Sequence, residues 1–259
     1  MPHKPAIFRL SVVLLLVVSS CSSVVPVPTS TVQPTATNTL TPTQTPTATP
    51  TPKPTMTPNQ TATQRVIQLE AEIQSYVDRG YLDTTNGRNL KFADFVSQWA
   101  QLGWYRRFWL NGSSYSLNFS DFIFNAHFNW SSAYRQADIS GCGVAFAIQP
   151  NDDHYAVFLD RSKVLFVKTD YYYYAVGPTH GTGRVEFENP FDTPAEADFT
   201  LIVKDTSAYV LVDDELVGEY ALAQSRGLKG QIMLALISGT NKDFGTRCEI
   251  SNIHIWEPE

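Results

Sequence analysis

Along the chain, apolar and polar positions alternate in short runs rather than in helical stripes. The clearest run is Phe122–Trp130. There Phe122, Phe124, Ala126, Phe128 and Trp130 share one parity, and Ile123, Asn125, His127 and Asn129 share the other. A period of two places these sets on opposite faces of a β-strand. Further strands are predicted at Cys142–Ile148, Ala156–Leu159, Val164–Lys168, Tyr171–Val176 and Arg184–Glu188. The series continues through Phe199–Lys204, Ala208–Asp213, Glu215–Tyr220, Gln231–Ser238 and Glu249–Trp256, and the run Trp104–Trp109 opens it. With no long helix between these strands, a parallel α/β fold is excluded and an antiparallel jelly-roll sandwich is expected.

One segment keeps helical spacing. Val66, Leu69, Ile73 and Val77 recur at intervals of three and four, so a helix is predicted over Gln64–Arg79, stopped by Gly80. Tyr81–Asn89 reads as polar and turn-rich. Phe95 and Trp99, four apart, predict a second short helix over Phe92–Leu102.

The N-terminal quarter follows other rules. Lys4 and Arg9 precede an apolar run from Leu10 to Val18 that is far short of the roughly 20 residues of a membrane span. It reads as the apolar part of a signal peptide. Val18-Ser19-Ser20-Cys21 resembles the lipobox of bacterial lipoproteins, which implies lipid on Cys21 and cleavage before it. From Pro26 to Thr63 there are 9 Pro and 15 Thr in 38 residues, and none is acidic. Such a segment buries too little surface to offset its chain entropy, and its prolines favour an extended stalk of about 100 Å. The expected organisation is a signal peptide over 1–20, a lipidated Cys and Thr/Pro-rich stalk over 21–63, a helical lead-in over 64–105 and a sandwich over 106–259. An extracytoplasmic, membrane-anchored location at the bacterial cell surface follows from that reading.

Charge narrows the partners. All 25 acidic residues and 16 of the 19 basic ones lie from Gln64 onward, a net charge of −9. The basic residues form no stripe, which argues against a nucleic-acid partner. After Cys21 only Cys142 and Cys248 remain, which permits one disulfide in an exported protein, two buried free thiols being the alternative.

Two passages carry a resemblance. Phe199–Asp205 (FTLIVKD) followed by Tyr209–Gly218 (YVLVDDELVG) resembles a hairpin unit of the concanavalin A-like lectin/glucanase sandwiches, a group that includes laminin-G-like and 3-keto-disaccharide hydrolase-like domains. Gly227–Leu234 (GLKGQIML) and Cys248–Ile255 (CEISNIHI) are similar to the entry and closing strands of the same group. Here Asp213-Asp214 stands where that group has a turn glycine, and both residue types tolerate left-handed geometry. The resemblance implies the sandwich fold and carbohydrate binding as the expected function.

Catalytic signatures are sparse. The E-x-D-x-x-E pattern of the glucanases of this fold is absent, and so is G-x-S-x-G. Glu186 and Glu188 share one strand face, which reads first as a solvated face. Asn151-Asp152-Asp153 and Asn241-Lys242-Asp243 read first as polar turns, though lectin-like sandwiches often hold calcium; no cofactor is expected. His127, His154, His180 and His254 are too scattered in sequence for zinc. The most informative polar row is Asn125, His127 and Asn129, three hydrogen-bonding side chains on one face. In Tyr171–Tyr174 one pair is expected in the core and the other, with Tyr171 and Tyr173 as candidates, as a sugar-stacking platform. The leading expectation is a monomeric, non-catalytic glycan-binding domain. A glycosidase-like hydrolase and an adhesive protein that binds another protein are the alternatives.

Overall fold

The computed structural model describes residues 58–110, 117–137, 139–170, 172–185, 195–223 and 228–259, with backbone alone for 58–66. The signal-peptide and stalk expectations, Cys21, Tyr171, Glu186 and Glu188 lie outside these residues.

Fifteen strands follow one helix among the described residues. They are α1 (Pro58–Asp78), β1 (Gly87–Lys91), β2 (Phe95–Trp99), β3 (Trp104–Trp109), β4 (Asn118–Phe119) and β5 (Phe122–Ser132). Next come β6 (Gly141–Ile148), β7 (His154–Leu159), β8 (Val164–Asp170), β9 (Tyr172–Ala175) and β10 (His180–Gly181). β11 (Ala195–Lys204), β12 (Ser207–Val212), β13 (Glu215–Ala221), β14 (Gly230–Ser238) and β15 (Thr246–Pro258) complete the chain. The first sheet runs β1-β15-β5-β11-β12-β13-β10, with β2 also on β15; the second runs β3-β14-β6-β7-β8-β9, with β4 on β14. Every pairing is antiparallel. Early strands pair with late ones, and the chain crosses between sheets at β2–β3, β4–β5, β5–β6, β9–β10, β13–β14 and β14–β15, giving a jelly-roll sandwich.

The odd–even pattern of β5 sets the core. Phe122, Phe124, Phe128 and Trp130 point inward and meet Val144, Phe146, Tyr155 and Phe166 of the second sheet. Phe128 and Phe199 stack at 4.6 Å, and Phe166 and Tyr220 at 4.3 Å. Cys142 on β6 and Cys248 on β15 form a disulfide through this core, tying the two sheets together.

Two backbone devices keep the pattern in phase. Asp213 and Asp214 have φ of 51° and 65°, so two carboxylate-bearing residues make the tight turn between β12 and β13. On β15 the register shifts between Ser251 and His254, with Asn252 at φ 53°. That bulge lets Ile250 and Ile253 both face the core.

α1 lies on the outer face of the first sheet. Ile73 and Tyr76 pack on Ile123, Ile202, Leu211 and Trp256, and Tyr81, just after the helix, stacks on Tyr209 at 4.6 Å. The helix starts at Pro58, earlier than the expected Gln64; proline fits a first helical turn, where its missing N–H has no partner to lose.

The second expected helix, over Phe92–Leu102, is strand β2. A spacing of four is even as well as near-helical, so Phe95 and Trp99 also satisfy a period of two. Both pack against the core while Val96 faces out. The sandwich therefore begins at Gly87, inside the stretch expected as a helical lead-in. Nor does a tyrosine pair enter the core: Tyr172, Tyr173 and Tyr174 are 72%, 50% and 53% exposed, because β9 is an edge strand lying beyond it. Arg184 makes a bridge to Lys163, and the rest of the strand expected over Arg184–Glu188 lies, from Glu186 on, outside the described residues.

Candidate functional site

The outward face of β5 reads Ile123, Asn125, His127, Asn129. Ile123 is covered by α1. Next along the strand, Asn125 and His127 line a pocket of about 520 Å³, within the range of small-ligand sites. α1 supplies Gln68, Glu72 and Tyr76, β11 supplies Asp198 and Thr200, and the β12–β13 turn supplies Asp213 and Asp214. Asn252, from the bulge on β15, closes the lining.

Register explains the contacts. Asp198 lies directly opposite His127, and Thr200 opposite Asn125. The Nδ1 of His127 is 2.9 Å from Asp198 Oδ1, and its Nε2 is 4.0 Å from Glu196 Oε2. Asp213 Oδ1 accepts the backbone N–H of Asp198 at 2.9 Å. Arg79, at the end of α1, donates to Asp214 Oδ2 at 2.6 Å and pins the helix to the turn. Burial raises the Tyr76 hydroxyl above the ordinary tyrosine value, so it stays neutral and able to hydrogen-bond. The Oδ1 of Asn125 is buried and has no hydrogen-bond partner. A buried amide oxygen without a donor is costly.

Asn129 shares the face but is not part of the pocket lining. Tyr173 is on the other side of the sandwich, where it meets Tyr105 and Trp104 with ring centroids 5.2 and 6.5 Å away. The two groups read from the sequence thus belong to different faces. Sequence reasoning missed the contributions of α1, the Asp213–Asp214 turn and the Asn252 bulge. Only the Asp213-Asp214 pair carried a signal, as a turn.

Around Tyr105 a part-buried network forms. Its hydroxyl bonds the Nε2 of His154, whose Nδ1 lies 2.6 Å from the carbonyl oxygen of Asp152; that contact makes Nδ1 the protonated nitrogen. Burial pushes the Tyr105 hydroxyl well above its usual value. Among the described residues, no three His, Cys, Asp or Glu side chains are grouped to hold a metal ion. Asp152 pairs with Arg107, and Asn151 donates to Asp153 at 3.0 Å, as polar turns do.

The fold and site define an all-β antiparallel sandwich with an appended helix and a polar pocket at their junction. No protein-family model matches the chain, and no curated protein does. Among solved structures it is similar to the carbohydrate-binding module CBM66 from Bacillus subtilis, at 14% identity and a TM-score of 0.37, over 53% of this chain and 76% of that one. It is also similar to sheep galectin-11, at 10% identity and a TM-score of 0.36, over 60% and 98% of the two chains. A fructosyltransferase from A. japonicus matches at 14% identity and a TM-score of 0.41, over 66% of this chain but only 26% of its own.

Proposed function

We propose that this protein binds carbohydrate, without catalysis, in the pocket between α1 and the first sheet. The observation that carries this reading is a pocket of about 520 Å³ whose walls offer amide, imidazole, hydroxyl and carboxylate side chains from Asn125, His127, Thr200, Asp198, Asp213 and Asp214. Sugar hydroxyls both donate and accept. An amide beside an imidazole and several carboxylates matches them group for group. The non-catalytic reading is supported by the engagement of three of the four lining carboxylates: Asp198 holds His127, Asp213 holds a backbone N–H and Asp214 holds Arg79, with Glu72 the fourth. A glycosidase needs one carboxylic acid free to give its proton and another free to attack or to activate water.

A glycan array probed with the protein should yield hits that Asn125→Ala and His127→Ala weaken. Turnover of those hits would instead favour the hydrolase reading. An array with no hits, together with pull-down of a protein partner, would favour the adhesive one.

The display of this site belongs to the same proposal. Lipid on Cys21 and the Thr/Pro-rich stalk hold a monomeric sandwich outward from the cell surface. Cys21→Ala should release the protein from membranes. Retention of that variant in a high-salt membrane fraction would overturn the anchor.

A further inference from the structure

A second cavity, of about 680 Å³, opens on the outer face of the second sheet, away from α1. Its walls are Arg107 and Trp109 from β3, Gln231 and Met233 from β14, Ile148 at the end of β6, and Lys229. Register sets the arrangement: Met233 lies directly opposite Trp109, and Gln231 opposite Ile148. Trp109 is 39% exposed, so much of its indole is open to the cavity side although Met233 supports it. Arg107 holds both oxygens of Asp152 at 2.8 and 3.1 Å through a single nitrogen, Nη2. The guanidinium fork has five N–H donors, so donors remain for a ligand.

The charge here is opposite to that of the first pocket. Arg107 and Lys229 against Asp152 give a net +1, within a region from Gln64 onward that carries −9. The pocket beside α1 holds Glu72, Asp198, Asp213 and Asp214 with His127 as its only basic side chain. An indole next to two cations suits a ring with an apolar face and a carboxylate: the ring stacks on the aromatic, and the carboxylate meets the guanidinium.

We propose that this cavity is a second ligand site, for an acidic sugar: a hexuronate residue whose ring lies against Trp109 and whose carboxylate meets Arg107 and Lys229. The two sites then face opposite ways, one on each sheet. The protein could hold two glycan chains at once.

The test uses the full-length chain, titrated with oligomers of galacturonate, glucuronate and mannuronate while tryptophan fluorescence is followed. Binding of at least one acid oligomer is expected, with a fluorescence change lost in Trp109→Phe. Affinity should fall tenfold or more in Arg107→Gln, and should recover in part in Arg107→Lys, which keeps the charge but not the fork. The methyl-esterified oligomer should bind at least tenfold more weakly than the acid. Asn125→Ala should leave this binding unchanged, which separates it from the site beside α1. Absence of binding by all three acids, equal binding of acid and ester, or unchanged affinity in Arg107→Gln would overturn the proposal. A loss caused by Asn125→Ala would move the acidic sugar to the other pocket and overturn it as well.

Discussion

Tyr105 on β3 and Tyr173 on β9 come from opposite edges of the second sheet, yet their ring centroids are 5.2 Å apart. Five strand spacings separate those edges, about 24 Å in a flat sheet. The sheet is therefore rolled, with its outward face concave, and the two edges meet over that face. Tyr105 also reaches Phe158 on β7 at 5.2 Å. Beneath these rings lie Ala145, Ala156 and Ala235, fully buried although they face away from the main core. The middle of the concave face is thus filled by the protein's own side chains. The two proposed ligand sites lie elsewhere: one at the end of β3 and the start of β14, the other beside α1.

The roll sets a first prediction. Tyr105→Ala should cost about 3 kcal/mol of unfolding free energy, as large aromatic truncations at packed positions do. Tyr173→Ala, on the exposed edge, should cost less than about 1 kcal/mol. Chemical denaturation of both variants measures this, and equal losses would contradict the rolled packing.

Position within the pocket sets a second. Asn125→Ala with His127→Ala should weaken sugar binding about tenfold, since each lost hydrogen bond costs about 0.5–1.5 kcal/mol. Asn129→Ala, on the same strand face but outside the lining, should leave affinity unchanged. Calorimetric titration distinguishes a site confined to the pocket from one spread along the whole strand.

The disulfide supplies a third. Cys142 and Cys248 are 106 residues apart in sequence and bridge the sheets. Closing a loop of that length restricts the unfolded chain strongly, and loss of such a bridge typically costs about 2–5 kcal/mol. Cys142→Ala with Cys248→Ala should therefore melt well below the parent. The parent in excess reductant should approach the same melting temperature.

Tyr220 gives a fourth, in pH. Burial raises its hydroxyl to about 12, against an ordinary value of 10.0. In the unfolded chain it ionises near 10; in the fold it keeps its proton until about 12. The unfolded state therefore releases its proton first as pH rises, so stability present below pH 10 is lost between about 10 and 12. Two units correspond to about 2–3 kcal/mol. The Tyr220 hydroxyl is buried without a hydrogen-bond partner, so Tyr220→Phe should be neutral or slightly stabilising at pH 7. The variant should also lose part of the alkaline destabilisation. A variant that keeps the parent's full loss from pH 10 to 12 would assign that loss to other groups.

Much of the architecture was legible in the chain itself. Alternation along Phe122–Trp130 named the core face of β5, and 3-and-4 spacing named α1. Asp213-Asp214 read as a turn because both residues accept positive φ. These are local features, fixed by the geometry of a few consecutive residues. The same locality explains the error at β2: Phe95 and Trp99 fit both periods, and only pairing with β15 decides between them. Likewise Tyr172, Tyr173 and Tyr174 carry a strand pattern, but exposure depends on β9 being an edge, which no local pattern records.

The pocket shows the division most clearly. The sequence placed Asn125 and His127 on one face. Which residues would stand over that face depended on β5 pairing with β11 and β15, on a bulge at Asn252 and on α1 docking through Ile73 and Tyr76. In sequence, Asp198 is 71 residues from His127, and Cys248 is 106 from Cys142. Periodicity carries no information across such separations, because it reports which way a side chain points and not what it meets. The partners were settled by the burial of apolar surface from distant segments into one core, which brought the polar faces of those segments together as a consequence.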